Sequence, residues 1–288
     1  MGNSGVTLHY DGWTAQPLER TQVLDLQHLR RIEAAMQDRV SWSSSAQSDQ
    51  PEALPPGWHW CWFADTFPAA ELGRDGHPQR GGFLPPVELP RRMWAGGKLA
   101  FHRPLFAGES ATRLSEVIAI EPKSGRSGEL VFVTVRHRLS QRGELALEEM
   151  QDLVFREDPS PDALPIKPPQ APGDAQFSRK VEPDPVWLFR YSAVTFNGHR
   201  IHYDHDYARQ VEGYPSIVVH APLIATLLAD LAREVSGSPV LREFSFRAVN
   251  PLFSNETFTI NARLEADTMV LWAAGPGGQL AMQAKAQF

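Results

Sequence analysis

One motif occurs twice in this chain. RPLFAGES at 103–110 returns as NPLFSNET at 250–257, and an offset of 147 residues superposes Pro104 on Pro251, Leu105 on Leu252, Phe106 on Phe253 and Glu109 on Glu256. Each copy leads into the same series of strand, turn, strand, glycine-bearing turn and closing strand. GHP at 76–78 and GYP at 213–215 form a weaker match. A string as short as PLF recurs easily by chance. The shared order of strands downstream is what favours duplication and fusion. The repeat predicts an α+β chain: two tandem antiparallel sheets, each with a long helix against it, forming a pseudo-dimer within one chain.

Apolar periodicity fills in each half. Val23, Leu24, Leu26, Leu29, Ile32 and Met36 recur at helical spacing and predict a helix over Thr21–Gln37. The aromatic run Trp58–Phe63 suits a buried strand. From Ala111, β-branched runs alternate with the turns KSGRSGE and QRGE, the pattern of an antiparallel meander. A proline-dense stretch over 158–182 reads as an extended connection. Domains are therefore expected at 1–160 and 183–288, with a linker at 161–182. A second helix is predicted over Pro222–Val235, with Pro222 in the first turn and Gly237 as the cap. LREFSFRA, TFTINARLEA and TMVLWAAG then follow as three strands, and GQLAMQAKAQF closes the chain.

Charge and cysteine content narrow the function classes. With 28 Lys+Arg against 34 Asp+Glu, the formal charge of −6 disfavours broad nucleic-acid binding, while a small basic pocket for a phosphorylated ligand stays open. The single cysteine, Cys61, excludes an intrachain disulfide and fits a reducing compartment. No apolar run approaches the ~18 residues of a membrane span, and the N-terminus lacks a secretory pattern. A cytoplasmic location without membrane partners is expected.

Groups able to do chemistry concentrate in Tyr191–Tyr207, which holds Tyr191, Asn197, His199, Arg200, His202, Asp204, His205 and Asp206. The first half shows no comparable cluster, so the site is expected mainly in the second. Imidazole and carboxylate together suit a divalent metal. However, His199, His202 and His205 cannot all face one side of a helix, and no HExxH or Cys/His spacing is present. No metal is expected. Acid–base chemistry on a carbonyl compound fits better, because histidine titrates near neutrality. Backbone amides near His220–Ala221, at the start of the second helix, suit a developing oxyanion. The plain alternatives are that VVHAPLIATLL is only a core helix and that Asp204 or Asp206 only caps a short helix. His205 reads as a surface residue, and Arg200 and Arg209 as solvated cations. Cys61, without a nearby base, reads as inert. Neither a glycine-rich phosphate loop nor a GxSxG elbow occurs.

FNGHRIHYD resembles the active-site segment of the MaoC-like hydratase/dehydratase family, whose pattern Y-x-x-[ST]-G-D-x-N-P-[LIV]-H precedes a helix opening with HGM. In this chain the pattern falls on Tyr191, Thr195, Phe196, Asn197, Gly198, His199, Arg200, Ile201 and His202, and the helix opens His220-Ala221-Pro222. RYSAVTFNGHRIHYD is most similar to the branch of mitochondrial-type 3-hydroxyacyl-thioester dehydratases and fused mesaconyl-CoA and itaconyl-CoA hydratases. The resemblance is specific over about 186–255 and architectural elsewhere. The family's catalytic aspartate falls on Asn197, its asparagine on His199, its proline on Arg200 and its helix-opening glycine on Ala221. An amide takes no proton, so Asn197 is no base.

The resemblance implies a double hot-dog fold, in which sheets wrap around central helices. It implies a hydro-lyase that adds water to an α,β-unsaturated acyl-CoA, mesaconyl-CoA or itaconyl-CoA giving citramalyl-CoA, without a cofactor. His202 becomes the catalytic base, with Asn197 beside it, His220 and Ala221 at the oxyanion, and Tyr191 and His199 in support. Arg200, Arg209 and Arg247 are the candidates for CoA phosphates or a second substrate carboxylate. The alternatives are a general (R)-specific enoyl-CoA hydratase or 3-hydroxyacyl-thioester dehydratase and, from another class, a non-catalytic acyl-thioester binding module. Oligomeric state stays open.

Overall fold

The computed structural model describes residues 9–10, 12–36, 39–42, 51–125, 128–158, 168–237 and 240–288. Ten strands form one sheet. The first half supplies β1 (Leu18–Val23), β2 (Arg91–Phe101), β3 (Ser110–Gly125), β4 (Gly128–Gln141) and β5 (Glu144–Arg156). The second supplies β6 (Phe177–Val181), β7 (Glu243–Ala248), β8 (Phe258–Glu265), β9 (Thr268–Ala274) and β10 (Leu280–Gln287). Their spatial order is β6-β8-β9-β10-β7-β2-β5-β4-β3-β1, every neighbouring pair antiparallel. The order is a palindrome about the β7–β2 seam. β7 mirrors β2, β10 mirrors β5, β9 mirrors β4, β8 mirrors β3 and β6 mirrors β1. The duplicated PLF segments leave β2 and β7 at matching places, so the halves pair edge to edge.

The seam is narrow. Phe244 pairs with Leu99, Phe246 with Gly97 and Arg247 with Gly96. A Cβ on Gly96 would stand 2.5 Å from the Phe246 carbonyl oxygen, and one on Gly97 2.8 Å from that of Met150. Glycine at both positions lets the strands close.

Helix α1 (Leu26–Met36) follows β1 as α2 (Pro185–Thr195) follows β6, and the two helices pack together. The short α3 (His205–Gln210) leads to α4 (Ala221–Ser236), which lies against β7 to β10. Leu223 to Ala232 are buried on every face of α4, as expected of a helix at the centre of a core. Gly237 ends it at φ 64°, in the left-handed conformation that glycine adopts without strain. One large core joins both halves, Leu24, Trp58, Leu99 and Leu147 sharing it with Leu188, Leu227, Phe244 and Ile260.

Four sequence expectations change. Thr21–Val23 belong to β1, where the Thr21 and Thr112 hydroxyls bond across the strands at 2.8 Å, so the helix begins only at Leu26; Gln37 lies outside the described residues. Trp58–Cys61 form a single 3₁₀ turn, not a strand. Gly57 opens this turn at φ 84° and touches α4 so closely that a Cβ would stand 2.7 Å from the Thr226 hydroxyl. One long helix per half holds only in the second, since α1 has 11 residues against the 16 of α4. Part of the expected linker, Phe177–Val181, pairs with β8 as an edge strand, and 161–167 lie outside the described residues.

Candidate active site

The loop after α2 carries the histidine cluster. The Asp184 carboxylate caps α2 by accepting from Trp187 N–H at 2.9 Å. The helix ends at Phe196, whose φ of 51° turns the chain away. The Asn197 amide oxygen accepts from His199 N–H at 3.0 Å, a local turn that shapes the loop. Residues Arg200–His202 make one 3₁₀ turn. Asp204 then caps α3, accepting from Tyr207 N–H at 2.9 Å, which is the structural role the sequence allowed it. His205 is exposed, as expected.

His202 is buried, and its Nδ1 lies 2.7 Å from the Val218 carbonyl oxygen. A carbonyl only accepts, so Nδ1 carries the proton and Nε2 is left with a lone pair. The ring stacks on His220 at 3.7 Å and 17°. His220 Nε2 in turn lies 2.8 Å from the Ser192 hydroxyl, and Tyr191 meets the same ring edge-on at 4.9 Å. His199 meets His202 edge-on at 5.3 Å. Ala221, the first residue of α4, lines the cavity at the positive end of that helix dipole.

The row of imidazoles continues into the first half, where the sequence promised nothing. His77 packs on His199 at 4.2 Å. Its Nδ1 donates to Asp75 Oδ2 at 3.0 Å, and its backbone N–H donates to Oδ1 at 3.0 Å. The 74–77 loop docks on the histidine-bearing loop after α2: Arg200 N–H donates to the Asp75 carbonyl at 2.9 Å, and Arg200 Nη1 to that of Arg74 at 3.2 Å. The site is therefore built from both halves. The one hint in the sequence was the GHP/GYP match, since His77 and Tyr214 both line the cavity.

That cavity measures about 1480 Å³ and reaches from His202 and Asn197 past Ala221 to Arg92, Trp94 and Arg247. This exceeds the roughly 300–1,000 Å³ common for small-ligand sites and suits a long ligand. The expected cations divide. Arg247 lines the cavity. Arg200 does not, because its guanidinium holds Asp204 at 2.7 Å and covers the Tyr207 ring at 4.1 Å. Arg209 is exposed on α3, away from the lining. Arg91 and Arg92, which sequence reasoning passed over, line it instead. Cys61 is buried, and burial pushes its thiol pKa up.

Burial governs the titration of this centre. It lowers His202 to about 4 against the opposing pull of the Val218 carbonyl. It also lowers His77 to about 4, helped by the Arg92 charge and opposed by Asp75. His199 and His220 are pushed down by burial and by their imidazole neighbours. Burial alone would raise the Asp75 carboxyl, but the bonds from His77 hold it ionised. At neutral pH the rings are neutral. Asp75, His77 and His199 place ligand-type atoms within 4.8 Å of one another. Yet His77 Nδ1 is engaged by Asp75, and the nearby Arg80 and Arg92 charges oppose a divalent cation.

A stability consequence follows. Unfolded histidines bind protons near pH 6.5, whereas folded His77 and His202 do so near 4. Between those values the unfolded chain binds more protons, so stability present above about 6.5 is lost as pH falls towards 4, at about 3 kcal/mol per ring. Calorimetry between pH 7 and 4.5 is expected to show a steadily falling Tm. A flat Tm would mean that the rings are solvated.

The hydroxyacyl-thioester dehydratase type 2 profile matches residues 57–254, a span that includes the 74–77 loop, the histidine row and the start of α4. The chain belongs to that family. It is 48% identical over 242 residues to the mesaconyl-C(4)-CoA hydratase of Chloroflexus aurantiacus, covering 84% of this chain and 85% of the relative. Among solved structures, a MaoC-like dehydratase from Phytophthora capsici superposes with a TM-score of 0.67 at 14% identity, covering 100% of this chain and 98% of the other. A Mycobacterium tuberculosis protein with a double hot-dog fold gives 0.56 at 15% identity, covering 95% and 96%. The fold is the α+β double hot-dog. This member of the dehydratase family is a hydro-lyase of the hydratase/dehydratase type, which removes the non-catalytic binding module from the alternatives. Among its described residues no helix is long and apolar enough to cross a membrane.

Proposed function

We propose that this enzyme adds water to the double bond of an α,β-unsaturated acyl-CoA whose acyl group carries a second carboxylate, with mesaconyl-C4-CoA the foremost substrate and citramalyl-CoA the product. The observation that carries the chemistry is the His202 tautomer: Nδ1–H is tied to the Val218 carbonyl, so Nε2 is free as a base in a residue that lines the cavity. The substrate choice rests on the 48% identity to the hydratase named above.

In this reading His202 Nε2 takes a proton from water, and the water oxygen bonds to the β-carbon. The π electrons move to the thioester oxygen as an enolate. The backbone at Ala221 and the α4 dipole stabilise that charge. The imidazolium then returns the proton to the α-carbon, so that the hydroxyl and one hydrogen of the water end on adjacent carbons. The low pKa of His202 suits the second step, because a strongly acidic imidazolium gives its proton up readily. Asn197 accepts from His199 through its oxygen, which leaves its NH₂ group to orient the water. Arg247, at the exposed part of the cavity lining, suits the CoA phosphates.

The test is hydration of mesaconyl-C4-CoA, itaconyl-CoA and crotonyl-CoA by the purified chain, with the hydrated product identified by mass spectrometry. Turnover of mesaconyl-C4-CoA, whose double bond is conjugated with the thioester, well above that of crotonyl-CoA is expected. Turnover of crotonyl-CoA alone would move the assignment to general enoyl-CoA hydration.

A further inference from the structure

We propose that Arg92 receives the free carboxylate of the acyl group and so decides between dicarboxylic and monocarboxylic thioesters. The inference rests on the hydratase reading above and names the residue that selects its substrate.

Arg92 stands on β2, in the first half, and lines the cavity together with His77, Asn197, His199 and His202. Its neighbours are fully engaged. Arg91 binds Asp158, Glu212 and the Glu212 carbonyl. Arg80 donates to the carbonyls of Val87, Leu89 and Pro90. Both carboxylate oxygens of Asp75 accept from His77. Arg92 pairs with Phe155 through its backbone, but its guanidinium makes no hydrogen bond, ion pair or ring contact with any described residue. A half-buried guanidinium with five donors and no partner is costly unless a ligand supplies the acceptor. Burial pushes its pKa down to about 10, which still leaves it charged at neutral pH.

The chemistry of the ligand follows from what surrounds this cation. It lines the cavity beside the histidine row, close enough for its charge to act on His77 and His199. A carboxylate offers two oxygens in the plane that a guanidinium fork matches. In mesaconyl-C4-CoA the free carboxylate is bonded to the β-carbon, the atom that water attacks. An unneutralised anion there repels the electron-rich oxygen arriving at the same carbon. A cation within reach of His77 and His199 would bind that carboxylate and relieve the repulsion at once. A monocarboxylic thioester such as crotonyl-CoA has only a methyl group at this position. It would leave Arg92 unpaired, which is a basis for rejecting it.

The test measures kcat/KM for mesaconyl-C4-CoA and for crotonyl-CoA in the wild type, Arg92→Met, Arg92→Gln and Arg92→Lys. The ratio of the two constants is independent of how much enzyme is folded, because both substrates meet the same molecules. The ratio is expected to fall by about 30- to 100-fold in Arg92→Met and Arg92→Gln, mainly through KM for the dicarboxylate, and by less in Arg92→Lys. An unchanged ratio in all three variants, in an enzyme that prefers the dicarboxylate, overturns the role of Arg92 and leaves the hydratase reading standing. A wild type that hydrates crotonyl-CoA and ignores mesaconyl-C4-CoA overturns the dicarboxylate reading and Arg92 with it.

Discussion

His202→Gln is expected to lower kcat by at least ~100-fold, which is about 2.7 kcal/mol of transition-state stabilisation. Glutamine is the informative replacement. Its amide can still donate to the Val218 carbonyl, which lies 2.7 Å from Nδ1 in the native protein, so the loop keeps its anchor. It also leaves less of a void against the stacked His220 ring than alanine does. What it lacks is a lone-pair nitrogen able to take a proton at neutral pH. KM should move little, because His202 acts on water rather than on the CoA moiety. The comparison variant is His77→Gln. His77 also has a free Nε2 and is backed by an ionised carboxylate, as a catalytic histidine often is. A larger loss at His77 than at His202 would transfer the base to the first half.

That contrast marks what could be read from the sequence and what could not. The duplicated PLF segments announced the palindromic sheet, since a repeat that feeds equivalent strands has few other ways to pair. The second half's share of the cavity lining was legible because Asn197, His199 and His202 are neighbours along the chain. His77 and Asp75 were not. They reach His199 only because the 74–77 loop docks on Gly198–Arg200, a tertiary event without a local signature. The arginines failed for a related reason. Arg200 and Arg209 sit near the cluster in sequence, yet one is engaged by Asp204 and the other faces solvent. The two misread elements had local clues pointing the other way. Asp25 accepts from His28 N–H at 2.8 Å and is the cap that places the helix start after β1. In WHWCWF the aromatics signalled burial rather than strand, and Gly57 before them marked the turn.

Gly76→Ala is expected to cost about 100-fold in kcat/KM while leaving the chain folded. Gly76 adopts φ +85°, a conformation that costs an L-residue roughly 1–2 kcal/mol. The steric problem is larger. A Cβ there would stand 2.1 Å from the carbonyl oxygen of Gly198, which is backbone and cannot rotate aside. The approach is reciprocal, since a Cβ on Gly198 would stand 2.8 Å from the Gly76 oxygen. Two glycines, one from each half, thus form the point where the 74–77 loop meets the histidine-bearing loop. Separating them breaks the 2.9 Å bond from Arg200 N–H to the Asp75 carbonyl and withdraws His77 from His199. The histidine-bearing loop then loses one wall, and displacement of a reacting group by about 1 Å is enough for a hundredfold loss. The rest of the fold is insulated, because the strand pairing across the seam lies in β2 and β7. The melting temperature should therefore fall by only a few degrees. Gly82→Ala is the control, since Gly82 has no positive φ and a Cβ there meets nothing within 4 Å. Wild-type turnover in Gly76→Ala would show that the two halves meet for stability alone, and that His77 and Asp75 stand beside the reaction rather than within it.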